Sequence, residues 1–445
     1  MRRTISFTTE KLSITRLKSR ILSYCASFKH SAYYDTNNFH YRNENNYHFK
    51  EYELVAAANS VALFTSKEQS FTTFSQYHAK KADWFFGYLS YNLKNQFFPL
   101  TTNHINESGF ADFFFFQPET VFLIKNNIIE IHSLLPKDKL DWLVEEITNT
   151  NNIRKNEDAI SERPIAIVPI ISKNEYLEKV NILKKHIQRG DIYEVNFCQE
   201  FRQENVHINP LELFIKLKTT SPTPFSAWFR QDNSYLLCAS PERFLKRSGN
   251  FLLSQPIKGT CPRGNSDRED RDNLEALLQS KKEIAENVMI VDLVRNDLSK
   301  IAARGSVKVL ECCRPYQFPQ VYQLISTISC IPKPEVNFND IIEATFPMGS
   351  MTGAPKLRAM QLADEHESFQ RGIYSGAVGY IAPNGDFDFN VVIRSLVYNH
   401  TNGYLSYAVG GAITMLSDAQ KEYAECLVKA KAIIDTLTQC HEVNN

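Results

Sequence analysis

The chain of 445 residues carries no net charge, because 50 Lys and Arg side chains balance 50 Asp and Glu. That balance argues against a nucleic-acid binder of the basic-patch kind and against a polybasic membrane-surface protein. Long apolar runs are also missing. The most aromatic stretch, Phe113–Phe116, stops at Gln117, well short of the roughly 18 residues that a bilayer span needs. Cysteine is sparse, with nine residues and no C-x-x-C pair. Cys312 and Cys313 are adjacent, a spacing that suits neither a disulfide scaffold nor a zinc site, so the cysteines read as free thiols in a reducing compartment. No repeat period and no low-complexity tract is visible. The first twenty residues set Arg2, Arg3, Lys11, Arg16, Lys18 and Arg20 against Glu10. Transit peptides share that charge pattern, but no apolar h-region follows, so secretion is not expected. These absences leave a cytoplasmic enzyme, without nucleic acid or membrane as partner, as the expectation.

What is present is an ordinary globular composition, 43% hydrophobic and 22% charged, too apolar for disorder. Residues 148–163, TNTNNIRKNEDAISER, are polar and without apolar periodicity, and read as a linker. It divides a strand-rich N-terminal region, 1–150, from a second region, 164–445. In the first, TISF, WFFGYLSY and FFFFQPETVFLI read as strands, with Gly87 marking a bulge or a close backbone approach. Helical runs cover Lys18–Phe28 and Lys137–Ile147. In the second, IAIVPII (165–171) reads as a strand, Asn174–Gln188 as a helix stopped by Gly190, and IYEVNF (192–197) as a strand. A helix over Pro210–Thr219 follows, then strands at Phe225–Phe229, Tyr235–Ala239 and Phe251–Leu253. A long helix is predicted over about Asn273–Ala303, and strands at Val307–Val309, Ala377–Ile381, Phe387–Ser395 and Tyr404–Val409. The last helix opens at Ser417, with Gln420 at capping-box spacing, and runs to about Leu437. Strands and helices mix without βαβ alternation, which favours α+β with large antiparallel sheets over a doubly wound fold.

Three groups of residues can carry chemistry. On the long helix Glu283 and Glu286 stand three apart, and on the last helix Glu422 and Glu425 repeat the spacing, so each pair presents two carboxylates to one side. If the two faces met, they would build an all-oxygen site of the kind Mg²⁺ accepts. Solvated helix faces carry such pairs too, and Glu425 could simply pair with Lys429; Glu286, however, sits among Ile284, Val288, Met289 and Val291, where an unpaired charge is costly. The second group is the loop FPMGSMTGAPKLRAMQL (346–362), where Gly349 and Gly353 flank Ser350–Thr352 and Pro355 suits the first helical position. Free N–H groups there would bind an anion. The loop lacks the Gly-Lys-Ser/Thr of a phosphate-binding loop, which makes a carboxylate the better ligand. Gly410–Gly411 is a second place for close backbone approach. The third group is Glu242 in SPERF and Lys258 in PIKGT. A lysine at a strand end can be partly desolvated, lowering its pKa and freeing the amine as a nucleophile. Arg394 in VVIRSL, facing inward, would need an anion partner, and Tyr374 reads as core.

Together, GDIYEVNF, SPERF, PIKGTCPRG, AENVMIVDLVRNDL, FPMGSMTGAPKLRAMQ, YSGAVGY, VVIRS and AVGGAITMLSDAQKEYAE resemble, in order, the motifs of the chorismate-utilising enzymes over about residues 165–445. WFFGYLSYNLKNQ is similar to a glycine-tyrosine strand of the aminating members. The resemblance implies an α+β fold of two large antiparallel sheets packed together with helices outside. It also implies chorismate as substrate and Mg²⁺ as cofactor, held by Glu286 and Glu425 with Glu283 and Glu422 beside them. Arg394 and Tyr374 would grip the enolpyruvyl carboxylate, where a guanidinium bonds in fork fashion, and Thr352, Gly353, Gly410 and Gly411 would line the pocket.

Lys258 discriminates within the family. The C4-aminating members, the aminodeoxychorismate synthases, read PIKGT, whereas anthranilate synthases commonly have a small residue in place of the lysine. The resemblance therefore implies Lys258 as nucleophile, Glu242 as general acid, and 4-amino-4-deoxychorismate, a precursor of 4-aminobenzoate and folate, as product. The water-using isochorismate and salicylate synthases carry a lysine base where this chain has Glu194, which argues against them. Glu194 also departs from the glutamine usual in aminating members, and Gln323 replaces a histidine found in many relatives. No Gly-x-Cys-x-Gly elbow is present, so ammonia is expected from a separate glutamine amidotransferase subunit, in a heterodimer. The alternatives are anthranilate synthase component I, disfavoured by Lys258 and by the lack of an LLES-type motif, and a non-catalytic chorismate-binding regulator.

Overall fold

The aromatic and β-branched runs form strands because their side chains fit a pleated, half-buried surface. In the computed structural model TISF lies in Arg3–Thr8, WFFGYLSY contains Phe85–Leu89, and the four-phenylalanine run opens Phe113–Lys125. The structure describes residues 2–9, 13–39, 52–67, 69–102, 104–149, 165–318 and 321–438; most of the expected linker, 150–163, lies outside them.

All the strand pairings are antiparallel, and they form two arms that share Phe113–Lys125. This strand pairs on one side with Leu54–Thr65, and on the other with Phe85–Leu89 and Ile128–Ser133 in succession. From Leu54–Thr65 the first arm continues through His30–Asp35, Phe225–Gln231, Ser234–Ser240, Ser395–Asn399 and Tyr404–Ile413 to Glu194–Gln203. From Phe85–Leu89 the second runs through Ala377–Ile381, Phe387–Val391, Arg243–Ser248 and Phe251–Gln255 to Val321–Cys330, which also pairs with Ile257–Pro262 and Lys308–Gln317. Ala57, Phe86, Tyr88, Phe229, Leu236 and Val378, drawn from both arms, form one buried cluster between them. Helices cover the outer faces. Ile14–Ala26, Lys173–Arg189 and Ala419–Thr438 bury Ile21, Leu183 and Ile433 on the first arm, while Phe71–Lys80, Lys281–Ser299 and Phe338–Thr345 bury Phe74, Ile290 and Ile341 on the second. The expected α+β class, two large antiparallel sheets with helices outside, is what the chain adopts.

Several boundaries differ from the sequence reading: the expected strands 192–197 and Val307–Val309 are Glu194–Gln203 and Lys308–Gln317, the helix Lys18–Phe28 is Ile14–Ala26, and four further differences bear on the architecture. The long helix is two helices, Asp267–Gln279 and Lys281–Ser299, broken where Ser280 turns its hydroxyl to accept from the Glu283 N–H and caps the second. The predicted strand Phe387–Ser395 splits into Phe387–Val391 and Ser395–Asn399, with Arg394 between them at φ +52°. Of IAIVPII only Val168–Pro169 is strand. The last helix begins at Ala419 and not at Ser417, because the Ser417 hydroxyl accepts from the Thr414 N–H while Asp418 accepts from the Lys421 N–H.

Gly87 marks a close approach and not a bulge. It sits in register between Phe115 and Gly379, and a Cβ there would lie 2.2 Å from the Phe114 carbonyl oxygen. Gly87→Ala must push the shared strand aside, and overpacking of this kind costs about 1–3 kcal/mol. A urea-unfolding midpoint unchanged in Gly87→Ala would contradict this reading.

Candidate active site

Helix packing decides where the glutamates go. Ser280 starts one helix with Glu283 and Glu286 in its first two turns, and the helix Ala419–Thr438 brings Glu422 and Glu425 to meet them. Lys282 spans the two helices, its Nζ 2.9 Å from Glu422 Oε1 and 3.7 Å from Glu286 Oε1. Lys429 lies 2.8 Å from Glu425 Oε1 and donates to the Gly410 carbonyl at 3.0 Å. Gly411 opens the strand beside this cluster, since a Cβ there would meet Glu422 Oε2 at 3.4 Å. Gly410 has a packing duty, because its Cβ would strike the Cys198 thiol at 2.5 Å. Burial pushes the Glu286 carboxyl up to about 7 against the pull of Lys258 and Lys282, and also raises Glu283. Glu425, although burial opposes it, is held below the usual carboxylate range by Lys429, Lys282 and Lys258.

Lys258, on the strand Ile257–Pro262, points its ammonium into the same region. Its Nζ donates to Glu194 Oε1 at 3.1 Å. The expected depression of its pKa is not what the structure shows. Burial does work in that direction, but Glu194, Glu286 and Glu242 surround the charge and raise the pKa above the ordinary lysine value. Lys258 rests as an ammonium in a ring of carboxylates. The Glu194 that departs from the family pattern is thereby its ion-pair partner. Asn287, one residue beyond Glu286, donates to the Lys258 carbonyl at 3.1 Å, which ties the strand to the glutamate helix.

Glu242 follows the strand Ser234–Ser240 and is 4% exposed. The Ser350 hydroxyl, from the Gly-rich loop, donates to Glu242 Oε1 at 2.5 Å. Burial lifts this carboxyl from 4.5 to about 7, with Ser350, Lys258 and Arg394 pulling the other way. Between these values the folded chain binds more protons at Glu242 than the unfolded chain does, so its stability falls as pH rises through the window, by on the order of 3 kcal/mol for that group. Glu286 acts in the same direction. Urea unfolding in chelator at pH near 5 and near 7 should show Glu242→Gln losing a large part of the wild-type decline; an unaltered decline would mean that Glu242 ionises normally.

Arg394, in the left-handed conformation between two strands, makes no side-chain hydrogen bond or ion pair among the described residues. Burial lowers its pKa, opposed by Glu242. An inward guanidinium with no partner is an anion receptor in waiting. Tyr374 is buried, as a core reading requires, with its hydroxyl 3.8 Å from the Cys198 thiol. It also lines a cavity of about 280 Å³ with Arg371, Ser395, Ala408, Glu200 and Tyr404. The Ser375 N–H donates to the Val392 carbonyl, which keeps Tyr374 and Arg394 in one neighbourhood.

The Gly-rich loop is clamped from below. Pro355 occupies the cap position, one residue before its expected place, and the helix starts at Lys356. Lys356 pairs with Asp297 and donates to the Pro347 carbonyl, so it is structural. Thr352 donates to the Met348 and Gly349 carbonyls, and accepts from the Asn196 N–H through its own carbonyl. A Cβ on Gly353 would lie 2.2 Å from the Glu194 carbonyl oxygen, so only glycine lets this loop pair with the strand that carries Glu194. Sequence reasoning missed Arg371, whose guanidinium donates to the Met351 and Asn196 carbonyls and to Glu367. It also missed Lys282, although the i, i+4 spacing to Glu286 was there to be read.

Three buried oxygens near Lys258 have no hydrogen-bond partner among the described residues: Glu194 Oε2, Glu286 Oε1 and Gln323 Oε1. Gln323 donates to Thr260, two residues from Lys258. Unsatisfied buried acceptors are rare in folded proteins, which makes these three oxygens candidates for contact with a ligand. The donor set fits a hard divalent cation, since it is carboxylate oxygen throughout with one orphaned acceptor on Glu286. Among the described residues no three acidic, histidine or cysteine side chains converge to ligate a metal unaided. A Mg²⁺ ion, which keeps several waters and takes one or two carboxylates plus substrate oxygens, is compatible with that spread.

Residues 26–435 match the family of chorismate binding enzymes, and the chain belongs to that family. The match extends into the N-terminal region, where the motifs are weaker. The chain is 38% identical to the chloroplastic aminodeoxychorismate synthase of Arabidopsis thaliana over 275 residues, 61% of this chain and 30% of that protein. It is also 38% identical to aminodeoxychorismate synthase component 1 of Salmonella typhimurium over 267 residues, 60% of this chain and 58% of that protein. The aligned part thus spans 30% and 58% of these two relatives' length. The crystal structure of anthranilate synthase component I from Streptococcus pneumoniae superposes with a TM-score of 0.75 at 25% identity, covering 85% of this chain and 91% of that one. No helix among the described residues is long and apolar enough to cross a membrane.

Proposed function

We propose that the chain aminates chorismate at C4, as an aminodeoxychorismate synthase component I, with ammonia delivered by a separate glutamine amidotransferase subunit in the cytoplasm. The observation that carries the reading is Lys258, half-buried and paired with Glu194 in the field of Glu286 and Glu242, with Arg394 beside Glu242 and without a side-chain partner among the described residues. In this reading residues 164–445 hold the chemistry, and region 1–150 completes the two sheets around it.

Lys258 Nζ first loses a proton, for which Glu194 Oε1 at 3.1 Å is the hydrogen-bonded acceptor. The free amine attacks ring C2, the double bond shifts, and the 4-hydroxyl departs with the proton of Glu242, a carboxyl that is half protonated near pH 7. Ammonia then adds at C4, the double bond shifts back, and the C–N bond to lysine breaks. Arg394 and Tyr374 orient the enolpyruvyl carboxylate, while Thr352 and Gly353 shape the wall. Glu286 and Glu425, with Glu283 and Glu422 beside them, would hold Mg²⁺, whose positive charge would let a ring carboxylate approach glutamates. The enolpyruvyl group is retained, which agrees with Gln323 in place of a histidine.

Product analysis with chorismate, Mg²⁺ and an ammonium salt tests the reading. Aminodeoxychorismate is the expected product, and anthranilate or isochorismate would overturn it. Glutamine in place of ammonium should give no turnover until an amidotransferase subunit is added; glutamine-dependent turnover by the pure chain would refute the separate partner.

A further inference from the structure

Cys312 and Cys313 play no part in the chemistry above, yet their geometry is unusual. Adjacent residues of a strand send side chains to opposite faces, which would hold neighbouring thiols apart. In the strand Lys308–Gln317 the register against Val321–Cys330 shifts between Glu311 and Arg314, and Cys313 takes φ +52°. This bulge places both thiols on one side, with Sγ···Sγ 3.7 Å. A non-glycine residue without the local hydrogen-bonding side chain of Asn or Asp is strained in that conformation. Cys312 is exposed and Cys313 half-buried, so a small reagent can reach the pair.

The bulge is also wired to the proposed nucleophile. The Cys313 N–H donates to Ser326 Oγ at 2.9 Å, and Ser326 Oγ donates to Asn287 Oδ1 at 2.5 Å. Asn287 Nδ2 in turn donates to the Lys258 carbonyl at 3.1 Å. Three hydrogen bonds thus join the backbone of Cys313 to that of Lys258.

We propose that Cys312–Cys313 is a vicinal-dithiol modification site, oxidised by hydroperoxides to a vicinal disulfide that disturbs the Lys258 strand. The exposed Cys312 thiolate attacks a peroxide oxygen, breaking the O–O bond to give a sulfenic acid and an alcohol or, from hydrogen peroxide, water. The Cys313 sulfur then forms the S–S bond, and the sulfenic oxygen leaves as water with the Cys313 proton. Two thiols lose two electrons and two hydrogens, and the peroxide is reduced by two electrons; an added dithiol reverses the change. Drawing the sulfurs from 3.7 Å to about 2.05 Å must move the Cys313 backbone, and with it the donor on Ser326.

The test treats the full chain with hydrogen peroxide, alkylates the remaining thiols, and maps the peptide that carries both cysteines by mass spectrometry. The expected result is loss of two hydrogens with no alkylation at either position, and faster amide exchange over Ile257–Pro262. Dithiothreitol should restore both. Cys312→Ser and Cys313→Ser should each abolish the disulfide and the exchange change. Two alkylated cysteines after treatment, or an exchange change that persists in Cys312→Ser, would overturn the proposal. The loss of catalysis rests on the amination reading: turnover should fall several-fold on oxidation and recover with dithiothreitol, and the serine variants should resist. Because mass and exchange need no turnover, a chain that does not aminate chorismate would refute the function without touching the dithiol result, whereas oxidation that forms the disulfide yet leaves amination intact would refute the coupling alone.

Discussion

Lys258→Ala should lower amination with ammonium by on the order of 10³-fold or more, since removing a covalent nucleophile costs the whole route that depends on it. Lys258→Arg should be no better, because a guanidinium stays protonated and cannot attack. The resting enzyme holds this lysine as an ammonium, so the rate should also depend on what takes its proton. Glu194→Gln removes the carboxylate acceptor while keeping a polar side chain, and should lower kcat with ammonium. Withholding ammonia should leave a chorismate-derived adduct on Lys258, visible by mass. Near wild-type product formation by Lys258→Ala would make the lysine structural and remove the main reason for assigning C4 amination.

Glu286→Gln should cost on the order of 10²-fold or more in rate, and chelator should silence the wild type, because the substrate carboxylate then lacks a charge between it and the glutamates. The same substitution should stabilise the chelated protein near pH 7. The wild-type carboxyl, lifted to about 7 by burial, is partly ionised there at a cost that the neutral amide does not bear. A slower enzyme that unfolds at higher urea separates a metal-binding role from damage to the fold. Full activity in excess chelator would eliminate the metal, and a less stable Glu286→Gln would mean that the carboxylate serves the fold.

Much of the architecture was legible because strand-forming runs and helical periodicity are local properties. The Gly190 stop, at φ +84°, and the helix Lys173–Arg189 fall where apolar spacing puts them. Errors gathered where a single side chain outweighs the pattern. Ser280 interrupts an otherwise continuous helical stretch by capping its second half, and Arg394 interrupts a strand by turning left-handed toward the site. The direction of the Lys258 shift differs from the sequence expectation for a related reason. Burial can be guessed from flanking residues, but the three glutamates that outweigh it come from a strand, a loop and a helix far apart in the chain.

The sequence by itself determined the fold class, the glutamate spacing on two helices, the glycines that permit close approach and the presence of a lysine at a strand end, because each follows from residue type and short-range periodicity. Only the tertiary structure decided that the two helices meet, that Lys282 spans them, that Glu194 pairs with Lys258, and that Cys313 reaches Lys258 through Ser326 and Asn287. Those relations depend on how sheets and helices pack across more than a hundred residues of chain. Hydrogen bonding falls off within a few ångströms and charge coupling over about 10 Å, so both depend on which distant segments are brought together and no local pattern could contain them.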